Sequence, residues 1–511
     1  MNKQLESILY TYFNYKQFRP GQKEIIESVL QGKDVLGILP TGSGKSLCYL
    51  LPSVILPYPI IVVSPLISLM VDQVKETKAF HLKEVVALHS MLTYEEREWI
   101  LQNLHTYKVI YMSPEMMQNE RMTRHLKSLK VSLFVIDEAH CISQWGYDFR
   151  PDYLRLKDVI EDLGNPPVLA LSGTITQEVE RDILVELGRE NMQVLHYDTE
   201  RKNIILSVER IEGNIRKDER LHQLVSQYHV PTIIYFSSRA RAEEVAKELQ
   251  RLFPEKHIAY YHGELASTSR LKIQQQFIYD QLDIICATSA FGMGINKPNV
   301  RLVIHYHLPS QLESFIQEIG RAGRDGKKSL SILLYEWGDE HIPLHLIDQE
   351  VPTEQEVRKF LNYLYILENN HQELPTSTRE IAKTLQMEEI NVRLLLYQAE
   401  YFNLIKNSQI IYDIDKWENA LTRIVSENEA RRRRKRVKLQ QMLDYIHEED
   451  CLRIELYKHF QSTVLKLGDQ CCSNCNSNTT TILENREKVK PIQSKNWQEE
   501  LAYVLGIGDS I

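Results

Sequence analysis

Apolar runs of four or five residues recur along the first two thirds of the chain, separated by longer stretches with helical spacing of apolar and polar positions. Between about residues 20 and 200 the clearest runs are Val35–Ile38, Ile60–Val63, Val109–Met112, Ser132–Ile136 and Val168–Leu171. From about 205 to 340 the grammar repeats with Thr232–Phe236, Ile284–Ala287, Leu302–Tyr306 and Ser331–Tyr335. Unbroken apolar runs of this length read as strands buried on both faces, and strands alternating with helices predict parallel sheets. The pattern therefore predicts an α/β fold with two tandem parallel-sheet domains. From about 352 onward the spacing turns helical. Capping residues in Pro375–Glu380 precede a short helix through Leu385, a second helix is expected from Glu388 to Asn403, and Leu404–Tyr412 reads as a hairpin around Asn407 and Ser408. Helix, turn, helix and hairpin make a winged-helix-like grammar, with DNA contact one expectation and a helical spacer the other. A long helical run follows from about Trp417 to Asp450, and a short helix is expected near Trp497–Leu505.

Composition narrows this only a little. The chain has 511 residues, 43% hydrophobic and 25% charged, as expected of a soluble globular protein of several domains. No apolar run approaches the roughly 20 residues that span a bilayer, the first residues lack a secretory apolar core, and seven cysteines fit a reducing compartment; a cytoplasmic location without membrane contact is expected. The formal net charge of −8 argues weakly against a polyanionic partner, but it says little about local patches. One such patch is the run Arg431–Arg436, six cations that cover every side of a helix. It is expected to be partly solvated, with some of its members meeting phosphates.

Two motifs carry most of the chemistry. Leu39–Ser46, directly after an apolar strand, holds Thr41, Gly42, Ser43, Gly44, Lys45 and Ser46. Glycines let backbone N–H groups close around phosphate oxygens, Lys45 reaches the β and γ phosphates, and the Ser46 hydroxyl can ligate magnesium at the start of a helix. Leu39 stands where the full P-loop pattern has glycine. Ser132–Ile136 then ends in Asp137 and Glu138. Asp137 is expected to hold the magnesium ion, and Glu138 to orient and deprotonate an attacking water. Both halves call for a nucleoside triphosphate with Mg2+. Two α/β units sharing one such loop place the nucleotide in the cleft between them.

Further motifs follow in a fixed order and together resemble the RecQ family of superfamily-2 DNA helicases. Cys141–Tyr153, immediately after Asp137-Glu138-Ala139-His140, is the segment most particular to that family. It carries Trp145, Tyr147, Phe149 and Arg150 behind the carboxylates, with Tyr147 where the family has histidine. Rings stack on unpaired bases and arginine adds phosphate contacts, so Trp145, Phe149 and Arg150 are the expected DNA-coupling residues. The resemblance implies adenine recognition by Tyr15, Arg19 and Gln22, hence ATP. It also implies backbone-holding segments at Ser64–Met70 and Tyr111–Glu115, and arginine fingers at Arg321 and Arg324, three apart in Gln317–Gly326. Leu171–Thr176 and Ala287–Pro298 look like further family strings, the latter with Asn296 where aspartate is usual.

Relatives bind a structural zinc with four cysteines. Their spacing maps onto Cys451, Cys472 and Cys475 and then onto Asn478, a poor ligand, which leaves Cys471 or His459 as the fourth donor for Zn2+. The resemblance implies two RecA-like domains over 1–205 and 206–345, a winged-helix-like region over 346–415, a cysteine-containing helical region over 416–478 and a tail over 479–511, too short for the extra C-terminal helical domain of many relatives. It implies a monomeric ATP-dependent helicase acting 3′ to 5′ on single-stranded and partially duplex DNA, in repair or recombination. The competing expectations are a DNA-binding scaffold with a vestigial motor, and an RNA helicase or protein-stripping translocase.

Overall fold

The computed structural model describes residues 2–475 except 81, 119, 144–150, 213–215, 293–296, 376, 407–408, 462–463 and 465–470. The first lobe is a seven-stranded parallel sheet made of β1 (Val35–Ile38), β2 (Ile60–Val63), β3 (Val85–Leu88), β4 (Val109–Met112), β5 (Leu133–Ile136), β6 (Val168–Ser172) and β7 (Gln193–His196), in the order β3-β4-β2-β5-β6-β1-β7. Every residue of β1, β2, β4, β5 and β6 is buried, which explains their unbroken apolar composition. The second lobe contains β8 (Ile204–Ile211), β9 (Thr232–Tyr235), β10 (Ile258–Tyr261), β11 (Ile284–Ala287), β12 (Leu302–His305) and β13 (Ser329–Glu336), ordered β10-β11-β9-β12-β13-β8 and again parallel throughout.

The helices that matter for function are α1 (Gln22–Leu30), α2 (Leu47–Ile55), α3 (Leu312–Ile319), α4 (His341–Glu350), α5 (Glu354–Asn369), α6 (Thr378–Leu385), α7 (Glu389–Tyr401), α8 (Ile414–His447) and α9 (Leu452–Tyr457). Helices α5, α6 and α7 with the short hairpin β14 (Ile405–Lys406) and β15 (Gln409–Ile410) form a small module around Phe360, Ile381, Leu395 and Leu404. The hairpin tip at Asn407 and Ser408 and the expected helix near Trp497–Leu505 lie outside the described residues.

Helix α8 spans 34 residues. Its first half sends Trp417, Ala420 and Ile424 into the module, and its second half sends Leu439, Met442, Tyr445 and Ile446 into the core of the second lobe. Between them lies the basic run, and three of its side chains are used internally. Arg432 Nη2 donates to the Val351 carbonyl at 2.8 Å, Arg436 pairs with Asp348 at 2.9 Å, and Lys435 pairs with Glu350. These partners sit at the C-terminal end of α4, where a helix favours cations. Three of the six cations are thus engaged by α4 and the residues after it, while Arg433, 3.9 Å from Glu429, keeps a side chain 71% exposed. Among the described residues, no helix is long and apolar enough to cross a membrane.

Candidate active site

The loop after β1 and the acidic pair after β5 emerge at the same edge of the first sheet, on either side of β6. Carboxyl ends of parallel strands are where such sheets bind ligands. Gly42 and Gly44 both take positive φ, 83° and 80°. The positive φ favours glycine at 44, and a Cβ there would lie 2.9 Å from Gln22 Nε2 and push that side chain off the loop. Ser46 stands at the N-cap position of α2 with its side chain making no capping bond, and the helix N-terminus points at the loop.

Lys45 Nζ lies 3.4 Å from Glu138 Oε1. Glu138 adopts a left-handed backbone, φ 51°, a strained conformation of the kind found at working sites. Its N–H donates to Asp137 Oδ1 at 3.0 Å, which holds that turn. Burial and the Glu138 charge push the Asp137 carboxyl up to about 6, against the pull of Lys45. Burial would raise Glu138 as well, but Lys45, His140 and Arg321 overcome it and hold that carboxyl below its ordinary range. The two acids are thus driven apart, as paired groups with different tasks are. His140 sits 3.0 Å from Ser172 Oγ and 3.4 Å from Glu138 Oε2, joining the acidic pair to the end of β6. Next to it, a Cβ on Gly173 would meet Thr41 Oγ1 at 3.5 Å, so Ser172-Gly173-Thr174 packs directly under the loop.

Gln22 and Arg19 are placed as supports of the loop. Gln22 Nε2 donates to the carbonyls of Ser43 (2.9 Å) and Gly44 (3.0 Å), while its Oε1 accepts from the Arg19 N–H at 2.8 Å. Arg19 Nη1 donates to the Gly42 carbonyl at 2.6 Å. Tyr15 is 45% exposed beside Phe80, a ring open for stacking. Trp145, Phe149 and Arg150 lie outside the described residues, as do Met293–Asn296 of the second lobe.

The second lobe reaches the loop through the turn after α3. A Cβ on Gly42 would lie 3.2 Å from Arg324 Cγ, and one on Gly320 3.4 Å from Thr41 Cβ. Arg321 is buried, and its charge acts on Glu138. Burial, then the charges of Arg321 and Arg201, lower the Arg324 guanidinium to about 9. The site thus joins loop, acidic pair and two arginines from opposite lobes.

Arg201 went unnoticed in the sequence, where it is one cation in the connection between two sheets. Its Nη1 donates to the carbonyls of Thr41 (3.3 Å) and Gly320 (3.1 Å), and its Nη2 to those of Ala322 (3.0 Å) and Gly323 (2.6 Å). One side chain therefore clasps the loop of the first lobe to the arginine turn of the second. Arg201→Ala should lower both the melting temperature and ATPase kcat/KM, the latter by at least about tenfold, because charged hydrogen bonds to buried carbonyls are lost. Arg201→Lys should not rescue either value, since the planar fork is gone.

The four cysteines near the end of the described chain converge. Their sulfurs all lie within 4.8 Å of one another, and Cys451 Sγ is 3.4 Å from Cys471 Sγ. A tetrahedral zinc ion with Zn–S bonds of about 2.3 Å sets neighbouring sulfurs about 3.8 Å apart, so Cys451, Cys471, Cys472 and Cys475 fit one ion. Cys471 is the fourth member of the group; His459 is not in it, and Asn478 lies outside the described residues. Arg453, fully buried, donates to Glu200 and to the Arg201 carbonyl, both at 3.2 Å, and to the Cys471 carbonyl at 3.5 Å. The cluster is thereby fastened to the connection that carries Arg201.

Residues 19–182 match the DEAD/DEAH box helicase family, 216–326 the helicase conserved C-terminal domain, and 411–476 the RecQ zinc-binding family. The chain is 39% identical over 506 residues to the probable ATP-dependent DNA helicase RecS of Bacillus subtilis, covering 98% of both chains. It is 37% identical to the ATP-dependent DNA helicase RecQ of the same organism, over 69% of this chain and 59% of that one, so it spans little more than half of the longer relative. Among solved structures it is similar in fold to the DUF1998 helicase MrfA bound to DNA (TM-score 0.57, 21% identity, 67% of this chain and 52% of that one). It is likewise similar to the Mycobacterium smegmatis helicase Lhr bound to single-stranded DNA and AMP-PNP (TM-score 0.56, 18% identity, 83% and 62%).

Proposed function

The chain belongs to the RecQ family of ATP-dependent DNA helicases, and from that premise we propose that it couples ATP hydrolysis to 3′–5′ movement along single-stranded DNA and to separation of duplex ahead of it. The observation that carries the reading is the meeting of Lys45, Glu138, Arg321 and Arg324 from two lobes at one phosphate-binding loop. Backbone amides of Thr41–Lys45 and the Lys45 ammonium take the β and γ phosphates. Ser46 and Asp137 would hold Mg2+, which neutralises phosphate charge when bound. Glu138 accepts the proton of the attacking water, and Arg321 and Arg324 counter charge on the γ-phosphoryl as it transfers. Tyr15 stacks on the adenine. Trp145, Phe149 and Arg150 report the presence of unpaired bases to the acidic pair directly before them in the chain. Because one chain supplies both halves of the site, it acts as a monomer. None of the seven cysteines is joined in a disulfide, in keeping with work in a reducing cytoplasm, in DNA repair or recombination.

Cys451, Cys471, Cys472 and Cys475 would hold one structural zinc, whose binding free energy would be folding free energy for the C-terminal region. Purified protein should contain about one zinc per chain, and Cys472→Ser should lower both metal content and melting temperature.

The deciding experiment is strand displacement on duplexes carrying a 3′ or a 5′ single-stranded tail, with ATP and magnesium. Displacement only of the 3′-tailed duplex is expected. Displacement of neither, with hydrolysis insensitive to DNA, would leave a scaffold with a vestigial motor. Stimulation by RNA but not DNA would make it an RNA-directed motor.

A further inference from the structure

In DNA-reading modules of the helix-turn-helix kind, the second helix of the pair enters the major groove. Here that helix is α7, and it faces the motor. Leu394, only 7% exposed, belongs to the same apolar cluster as Ile136, Ala139 and Tyr153 of the first lobe, and Tyr397 packs against it. Glu400 pairs with Arg155. Leu394, Tyr397 and Glu400 lie three apart and so form one stripe. The opposite stripe, Val392, Leu395 and Ala399, fills the module's own core. Charge points the same way. Helix α7 carries Glu389 and Glu400 against a single cation, Arg393, which is itself paired with Glu389 at 2.7 Å. A surface made to follow phosphates is cationic.

The residues under α7 lead straight to the acidic pair. Arg155 ends the short turn Pro151–Arg155. Within that turn Tyr153 is fully buried, and its hydroxyl donates to the Asp137 carbonyl at 3.5 Å. Gln118 Nε2 donates to Asp152 Oδ1 at 2.9 Å and pins the same turn from the other side. Asp137 in turn accepts the Glu138 N–H. We propose that the winged-helix-like module is an internal brace on the motor and not a groove reader, and that Glu400 is a positioning residue which, through Arg155 and Tyr153, holds Asp137 and Glu138 in place. The inference rests on the reading that these two acids hydrolyse ATP. A displacement of about 1 Å at such a pair can cost about a hundredfold in rate, so a modest loosening has a measurable effect.

Contiguity alone does not prove coupling, so the test is a charge-swap cycle. Arg155→Glu sets a third carboxylate beside Glu400 and Asp152. We expect ATPase kcat to fall about tenfold, with KM for ATP and the half-saturating oligonucleotide concentration within about twofold of wild type. The double variant Arg155→Glu with Glu400→Arg should recover most of that loss. Tyr153→Phe keeps the ring and removes only the hydroxyl; it should lower kcat in the same manner without lowering KM. The inference is overturned if the swap is no better than Arg155→Glu, or if both Arg155→Glu and Tyr153→Phe leave kcat intact. It is also overturned if the variants raise only the half-saturating DNA concentration, for α7 would then be touching nucleic acid. Hydrolysis without DNA reads out the same cycle. Absence of DNA stimulation in wild type therefore counts against the helicase reading and leaves the brace separately testable.

Discussion

Glu138→Gln is expected to bind ATP and to hydrolyse it about a thousandfold more slowly than wild type, within the range lost when a positioned general base is removed. The same substitution should change the pH profile. In wild type Asp137, pushed up to about 6, gains a proton as pH falls through that value and can no longer serve as a metal-holding carboxylate. At sub-saturating Mg2+, where proton and ion compete for Asp137, hydrolysis should therefore decline on the acid side near pH 6. After burial, the Glu138 charge is the main cause of that elevation. Removing it lets Asp137 ionise more readily, so the residual activity of Glu138→Gln should persist to lower pH. Lys45→Ala works in the opposite sense, because both acids lose the cation that lowers them; its weak activity should fail at higher pH. Steady-state ATPase profiles between pH 5 and 8 at sub-saturating Mg2+ on the three proteins check both directions. An unchanged acid limb in Glu138→Gln would separate Asp137 from the rate.

The second large effect is expected at Arg324. Arginine fingers contribute about 10³- to 10⁵-fold to phosphoryl transfer, so Arg324→Ala should lower kcat at least about a thousandfold. What makes the site informative is its cost to the resting protein. Burial is the first cause of the depressed Arg324 guanidinium, followed by Arg321 and Arg201. Three cations crowd where a triphosphate's negative charge would offset them. Arg324→Ala should therefore raise the melting temperature of the nucleotide-free protein while it removes activity, a trade common at functional sites. Thermal denaturation with and without ATP and magnesium reads both parts. A lower melting temperature without nucleotide would show that Arg324 serves chiefly to hold the lobes together.

Much of the fold could be read from composition, because β1, β2, β4, β5 and β6 lie in the middle of a sheet covered on both faces. The edge strand β7 could not be read that way: Gln193, Val194, Leu195 and His196 are all half-buried or exposed, and the sequence carries no apolar run there. The loop and acidic pair were legible because phosphate chemistry restricts the residues that can serve it. Arg201 was not, since its partners are backbone carbonyls, which any residues could supply. The internal partners of the basic run were not legible, because Asp348 and Glu350 lie more than eighty residues earlier. In α7 the run Leu394-Leu395-Leu396 winds around the helix. It announces burial without saying that Leu394 faces the motor and Leu395 the module.

Helix α8 gives these parts a mechanical relation. At 34 residues it is about 50 Å long, and its two halves are embedded in different bodies. A turn of about 10° by the second lobe, carried along such a rod, sweeps its far end through about 9 Å. That far end holds the module whose α7 leans on the first lobe. Separation of the lobes must then either peel Leu394 and Tyr397 from their seat or bow the rod against elastic resistance. The seat of α7 on the first lobe and the approach of the arginines to the loop are thereby tied to one rod.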